Sequence, residues 1–176
     1  MVKVETKRLI LREPTKGDFE FLKNMWQNGE VMKFVGFPSG LKQSDEKIYQ
    51  WIDTAQKNGR CKLVIEDKES HRAIGETGYR LDINYPFAKG KKAAAPDIKL
   101  IPEFWGKGIA TEAFKAVIDY IFKNTDAEII QVSPNVKNKA SISLYKKLGF
   151  KKVGKIMTDN IHPEVPVTFQ YMELRK

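Results

Sequence analysis

The stretch Ile98-Lys99-Leu100-Ile101-Pro102-Glu103-Phe104-Trp105-Gly106-Lys107-Gly108-Ile109-Ala110-Thr111-Glu112-Ala113 decides how this chain is read. A strand over Asp97–Ile101 is halted by Pro102, a turn with two glycines follows, and a helix starts at once. From about Gly108 to Lys123, Ala113, Phe114, Val117, Ile118 and Ile121 fall on one face of that helix. Glycine lets backbone N–H groups approach an anion with no side chain in the way. The first helical turn adds unpaired donors and the positive end of the dipole. The corner is therefore a candidate pyrophosphate cradle, with Lys107 as a point charge beside it. A plain strand-to-helix corner explains the glycines equally well. The spacing is neither that of the P-loop nor that of the dinucleotide fingerprint.

Working outward, Thr6–Arg12 alternates as a strand closed by Pro14. Phe19, Leu22 and Trp26 share one face of a helix over Asp18–Gln27. Ser44 is placed to cap a second helix carrying Ile48, Trp51, Ile52 and Ala55 inward, stopped at Asn58-Gly59. Lys62–Glu66 and Ala73–Leu81 form a hairpin across Asp67-Lys68-Glu69-Ser70, and Asn84–Pro96 reads as a long polar loop. Beyond the central helix, Glu128–Val132 is a strand and Ser141–Leu148 a helix ended by Gly149. Phe150–Ile156 and Val167–Leu174 close the chain as strands. No repeat or linker divides the sequence, so residues 1–176 are expected to form one α/β domain.

A second segment adds weight to the cradle. In Asn138-Lys139-Ala140-Ser141-Ile142-Ser143-Leu144-Tyr145, Ser141 and Tyr145 share a helix face and Asn138 stands at its start. An N-cap asparagine and a half-buried tyrosine would give the same pattern.

Composition narrows the partners. The formal charge of +9 from 31 basic and 22 acidic residues suits an anionic partner: nucleic acid, an acidic membrane surface or a phosphate-rich small molecule. Lysines are not interleaved with aromatics as a nucleic-acid face would favour, and Lys89-Gly90-Lys91-Lys92 reads as a solvated loop. A single cysteine, Cys61, excludes an internal disulfide, and with two histidines no metal site is expected. No run approaches the roughly 18 apolar residues of a membrane span. Met1–Glu5 lacks a signal-peptide core, so a cytoplasmic protein is expected.

Together these segments resemble the GNAT superfamily of N-acetyltransferases. Its cofactor motif, Gln/Arg-x-x-Gly-x-Gly/Ala, is matched by Trp105-Gly106-Lys107-Gly108-Ile109-Ala110, with Trp105 in place of the opening Gln/Arg. Thr6-Lys7-Arg8-Leu9-Ile10-Leu11-Arg12 and Asn138-x-x-Ser141…Lys147-Leu148-Gly149-Phe150 resemble the branch of the RimJ/RimL ribosomal-protein N-terminal acetyltransferases, where an aromatic-Trp-Gly-Lys-Gly run is usual. The resemblance implies an α/β (α+β) fold: a mixed, mostly antiparallel twisted sheet of about seven strands, flanked by helices. Two central strands splay into a V that takes acetyl-CoA. It implies backbone contacts to the pantetheine arm from Leu100 and Ile101, and a pyrophosphate site at Gly106, Lys107, Gly108, Ile109, Ala110 and Thr111. Asn138 and Ser141 would face the cofactor.

The implied reaction is acetyl transfer to a primary amine in a ternary complex. An ammonium must lose a proton before it attacks, and Asp97, then Glu76, are the candidate bases. A backbone N–H near Leu100–Ile101 would hold the oxyanion, and Tyr145 would protonate the departing thiolate. Cys61 reads as a small buried residue rather than a nucleophile. The acceptor is either a protein N-terminus or a small-molecule amine, bordered by the early helices (Phe19–Trp26, Val31–Phe37) and the loops Asn84–Pro96 and Asp159–Pro166. Trp26, Phe34, Phe37, Tyr85 and Phe87 are candidate lining aromatics. A homodimer could form through a sheet edge at Val167–Leu174. The readings from other classes are a CoA-binding module without catalysis and a basic protein attached to RNA or the ribosome.

Overall fold

The structure is a computed structural model that describes residues 2–81, 84–159 and 165–176. Eight strands form one sheet: β1 (Lys3–Glu5), β2 (Leu9–Arg12), β3 (Arg60–Asp67), β4 (Arg72–Leu81), β5 (Ala93–Leu100), β6 (Ile129–Val132), β7 (Lys151–Asp159) and β8 (Val167–Arg175). Their order is β1-β2-β3-β4-β5-β6-β8-β7. Every described neighbouring pair is antiparallel except β5–β6. Five α-helices accompany the sheet: α1 (Phe19–Gln27), α2 (Gly29–Met32), α3 (Asp45–Asp53), α4 (Ile109–Asn124) and α5 (Lys139–Lys147).

The mixed, mostly antiparallel sheet flanked by helices is the expected architecture, with one strand more. The extra strand arises because Thr6-Lys7-Arg8 is a turn, not the start of a strand. Thr6 N–H donates to Leu9 C=O at 3.0 Å, and Leu9 N–H donates to Thr6 Oγ1 at 3.0 Å. A threonine hydroxyl that captures backbone groups favours a turn over a ladder. Val31–Phe37 likewise splits into α2 and a short 3-10 turn over Lys33–Val35.

Alternation assigns the two faces of the sheet. Leu9, Leu11, Leu63, Ile65, Ile74 and Leu100 point to one face, where Ala113, Phe114, Val117 and Ile121 of α4 cover them. Arg12 and Lys62 point to the other face, and they contact Asp18 before α1 and Trp51 of α3. The helices on this side form their own core of Phe19, Leu22, Met25, Trp26, Met32, Ile48 and Ile52. Arg12 fixes them to the sheet. Its guanidinium donates to both oxygens of buried Asp18 at 2.8 Å and to Glu66 at 2.7 Å.

The final strand does not lie at a sheet edge as expected. β8 pairs with β6 on one side and β7 on the other, so the edges are β1 and β7. No helix among the described residues is long and apolar enough to cross a membrane.

Candidate active site

Strand β5 carries the feature that shapes the site. It begins at Ala93, inside the stretch expected to be loop, so Asp97 lies in mid-strand rather than opening it. Three alanines carry no β-strand signal; burial of Ala93 and Ala94 against β6 makes them strand. Pairing with β6 covers only Ala93↔Ile129 and Ala94↔Ile130, whereas pairing with β4 runs from Ala94 to Leu100. Ile101 N–H donates to Ile74 C=O across β4. Counting back by twos, residues 99, 97 and 95 turn their backbone groups to β4, and 100, 98, 96 and 94 turn theirs to the β6 side. Position 96 is proline, which has no N–H to extend the parallel ladder. The sheet opens there, leaving the edge of β5 at Ile98 and Leu100 facing the gap.

At the end of that open edge lies the glycine corner. Gly106 and Gly108 have φ of +72° and +74°, and Gly108 is the residue just before α4. A Cβ at Gly106 would meet nothing within 4 Å, so the glycine answers to the backbone angle and the open space over the loop, not to crowding within the protein. Trp105 donates its indole N–H to Leu100 C=O at 2.8 Å, tying the loop to the strand. Lys107 Nζ lies 5.2 Å from the centre of the Phe104 ring.

Sequence reasoning missed the support beneath this loop. Glu112, in the first turn of α4, accepts from Thr6 Oγ1 at 2.6 Å, Arg8 N–H at 2.8 Å and Arg8 Nε at 2.7 Å. Arg8 Nη1 then donates to the carbonyl of Lys107 at 2.9 Å. Burial opposes ionisation of Glu112, but Thr6 and Arg8 outweigh it and hold the carboxyl below its ordinary range. The β1–β2 turn thus clamps the loop. The partners are about a hundred residues apart in sequence, and no local pattern joins them.

The face beneath α1 and α3 carries the titratable groups. Glu76 on β4 is paired with Lys99 on β5, and Gly78 with Asp97. Lys99 Nζ stands between the two carboxylates, 2.9 Å from Glu76 Oε1 and 3.1 Å from Asp97 Oδ2. Gly78 leaves β4 bare, and Lys62 of β3 approaches Asp97 to 3.9 Å. The Glu76 side chain is 5% exposed and that of Asp97 44%. Glu76 Oε2 is buried and accepts no hydrogen bond from the described residues. Burial disfavours the charged form of Asp97, but Lys99 and Lys62 prevail and hold it below the usual carboxylate range. Burial acts against the charge of Lys99 too, yet Glu76 and Asp97 raise its affinity for the proton.

Tyr145 lies in the core beside Phe114 and Phe150, with ring centres 5.2 and 5.5 Å away. Burial, then the charge of Asp97, pushes its hydroxyl well above the ordinary value, so it stays protonated. Asn138 caps α5, its Oδ1 accepting from Ser141 N–H at 3.1 Å. The Ile101 N–H donates to Ile74 C=O and its side chain packs against both cores, so of this pair it is Leu100 whose N–H faces the gap.

Residues 8–151 match the acetyltransferase (GNAT) domain family. The chain belongs to the GNAT family. The spermidine N(1)-acetyltransferase of Escherichia coli (strain K12) is 37% identical over 151 residues, covering 84% of this chain and 75% of that protein. The uncharacterized N-acetyltransferase YoaA of Bacillus subtilis (strain 168) is 29% identical over 153 residues, covering 86% of this chain and 84% of its own. Among solved structures, the spermidine N-acetyltransferase from Vibrio cholerae in complex with CoA and spermine superposes with a TM-score of 0.80, covering 97% of this chain and 96% of that one at 23% identity. The protein is thus an N-acetyltransferase of GNAT fold, and membership implies acetyl-CoA as donor.

Other expectations about this GNAT site fare unequally. Trp26 is buried in the helical core edge-on to Trp51, and Phe37 packs against the same cluster. Phe34 presents its carbonyl to Asn135 Nδ2 at 3.2 Å. Tyr85 and Phe87 pack on Tyr171, and the Tyr85 hydroxyl donates to Glu173 at 2.7 Å. Residues 160–164 of the expected acceptor loop Asp159–Pro166 lie outside the described residues. Lys91 pairs with Glu128 at 2.8 Å and Lys92 with Asp126, which neutralises much of the basic loop. Cys61 is buried, and burial pushes its thiol up to about 11, too high for a nucleophile.

Proposed function

We propose that this GNAT enzyme transfers the acetyl group of acetyl-CoA to a primary amine, with Glu76 taking the proton and Tyr145 returning one. The observation that carries the reading is the parting of β5 from β6 at Pro96, beside the glycine corner and above the Glu76–Lys99–Asp97 cluster. The residues present fit the donor. Open space over Gly106, the amides of Gly106–Thr111 and the cation of Lys107 suit a pyrophosphate, and the edge groups of Ile98 with the N–H of Leu100, whose carbonyl is taken by Trp105, suit an amide-bearing arm. When bound, acetyl-CoA supplies an activated thioester. Glu76 Oε2 accepts a proton from the acceptor ammonium, directly or through one water. The nitrogen then bonds to the acetyl carbon as the carbon–sulfur bond breaks. Leu100 N–H is the backbone donor offered to the oxyanion. The protonated Tyr145 phenol gives its hydrogen to the sulfur and regains one from the second proton that the nitrogen sheds on becoming an amide, while the first leaves Glu76 to solvent. Asn138 and Ser141 flank the donor from the start of α5.

The acceptor on this reading is a small amine or a protein N-terminus. Spermidine, named for the E. coli and V. cholerae relatives, is one candidate. The RimJ/RimL-like motifs support the N-terminus. Residues 1–176 would act as one catalytic domain in a reducing compartment such as the cytoplasm, where the lone Cys61 remains a thiol. Any homodimer would use β1 or β7, since β8 is interior.

Thiol release from acetyl-CoA, measured with a panel of amines and N-terminal peptides, tests the function. Gly108→Trp should abolish it together with CoA binding, and Asp97→Asn should leave turnover largely intact if Glu76 is the base. Normal CoA binding by Gly108→Trp would remove the cradle from this account.

A further inference from the structure

The face of the sheet that carries Glu76 is poor in free negative charge. Asp18 and Glu66 are both taken by Arg12. Lys99 occupies one oxygen of Glu76 and one of Asp97, and Lys62 stands 3.9 Å from the other oxygen of Asp97. Among the described residues, one buried carboxylate oxygen of this face remains without a protein partner, Glu76 Oε2. It suffices for one ammonium.

Along the same face the charge turns positive. Arg60 and Arg80 are directly opposite each other on β3 and β4, and Arg80 is opposite Ala95 on β5, two positions from Asp97. Two residues along a strand span about 7 Å. Alternation places Arg60, Lys62, Arg80, Asp97 and Glu76 on one face. Both arginines are exposed, and neither forms an ion pair among the described residues. Like charges directly opposite on neighbouring strands repel. An anionic group between them would relieve that repulsion, while a polycation would add to it.

We infer that the acceptor is an amine that also carries an anionic group, a carboxylate or a phosphate. Its nitrogen is held at Glu76 Oε2 and its anion faces Lys62, Arg60 and Arg80. These three cations determine specificity, and they make polyamines poor acceptors despite the spermidine acetyltransferases among the relatives. The inference rests on the acetyltransferase reading above and narrows its acceptor.

The test uses an ω-amino acid, the alkylamine of equal length, the matching diamine, spermidine and a set of α-amino acids. Thiol release is followed with each acceptor, and binding to the CoA-saturated protein is measured by calorimetry. We expect kcat/KM for an amino acid to exceed that of the alkylamine by about tenfold and that of the diamine by more. The Arg60→Gln/Arg80→Gln double variant, changed only at exposed side chains, should lose this preference through KM while alkylamine turnover is unchanged. Spermidine or the diamine matching the amino acid would overturn the inference. So would an unchanged preference in the double variant, or failure of every amino acid to bind a protein that still takes CoA. Loss of CoA binding itself would instead strike the acetyltransferase reading of the site, and this inference with it.

Discussion

Removing the Arg8 side chain separates the clamp under the phosphate loop from the loop itself. Arg8 makes one charged hydrogen bond to Glu112 at 2.7 Å and a second to the Lys107 carbonyl at 2.9 Å, and it is 42% exposed. A buried hydrogen bond to a charged group contributes about 1.5–3 kcal/mol. Solvent screening at this exposure reduces the pair together to about 1–2 kcal/mol. If that energy holds Gly106–Gly108 in their left-handed angles, its loss lowers the fraction of protein ready to bind, and apparent affinity falls in proportion. Arg8→Ala should then weaken CoA binding by about five- to thirty-fold in a calorimetric titration. Amides 105–111 of the ligand-free protein should exchange faster. Arg8→Lys keeps the charge but cannot reach both partners, so it should fall between. The carboxyl of Glu112 is held below its ordinary value of 4.5, so the clamp is fully present above that pH and is lost as pH falls through the lower folded value. CoA affinity should therefore not change through Glu112 between neutrality and pH 4.5. An Arg8→Ala protein that is less stable yet binds CoA within twofold of wild type, with unchanged exchange in the loop, would show that the clamp serves only the hairpin.

Two glycines should respond in opposite ways. Gly106→Ala meets only the left-handed backbone cost of about 1–2 kcal/mol but puts a methyl in the cradle, so CoA affinity should fall more than stability. Gly154→Ala would place its Cβ near the Phe87 ring and should lower the melting temperature without touching CoA affinity, as differential scanning calorimetry beside the titration would show. Glu76→Gln and Tyr145→Phe should each lower kcat by about a hundredfold in the thiol-release assay with CoA binding retained. Full activity in either would remove that residue from the proton path. Arg12→Ala strands Asp18 in the interior and should cost about 3–5 kcal/mol in a urea titration. Burial opposes the charge of Asp18, yet Arg12 and Thr15 lower its proton affinity, so the pair stabilises above the ordinary value of 3.8 and that contribution fades as pH falls below it.

What the sequence disclosed were features written into neighbouring residues. The period of α4, the two glycines before it and the cap position at Ser44 are local, and each is where it was expected. The glycines were read for their freedom of angle, and both carry positive φ. Features fixed by contact between distant segments were not legible. Ala93-Ala94-Ala95 has no strand propensity and becomes strand through burial against Ile129 and Ile130. Thr6 and Arg8 look like strand residues until Glu112 is brought beside them. Nothing in Val167–Leu174 says that β7 will fold back outside it, since pairing on either side is fixed by segments distant in the chain. The carboxylates are visible as candidates, but nothing local to Lys99 says that it will stand between them.

That lysine changes which carboxylate can act. Asp97 is the nearer to the family pattern, yet it is 44% exposed and its carboxyl, for all the opposition of burial, is held below the usual range by Lys99 and Lys62. A base so stabilised in its charged form has little pull on an ammonium proton. Glu76 faces the same lysine with one oxygen only, is screened from solvent, and keeps Oε2 free. A buried carboxylate oxygen with no donor among the described residues is a place where a donor from outside can bind. Both arrangements follow from one strand. Pro96 ends the ladder to β6 and opens the gap, the next residue takes the surplus charge of Lys99, and Lys99 fixes Glu76 on the neighbouring strand at the height of the open edge. On the proposed reading, place and proton acceptor are both set by four consecutive residues of β5, 96 to 99, and moving the proline by one position would unmake both at once, since the missing N–H would then face β4.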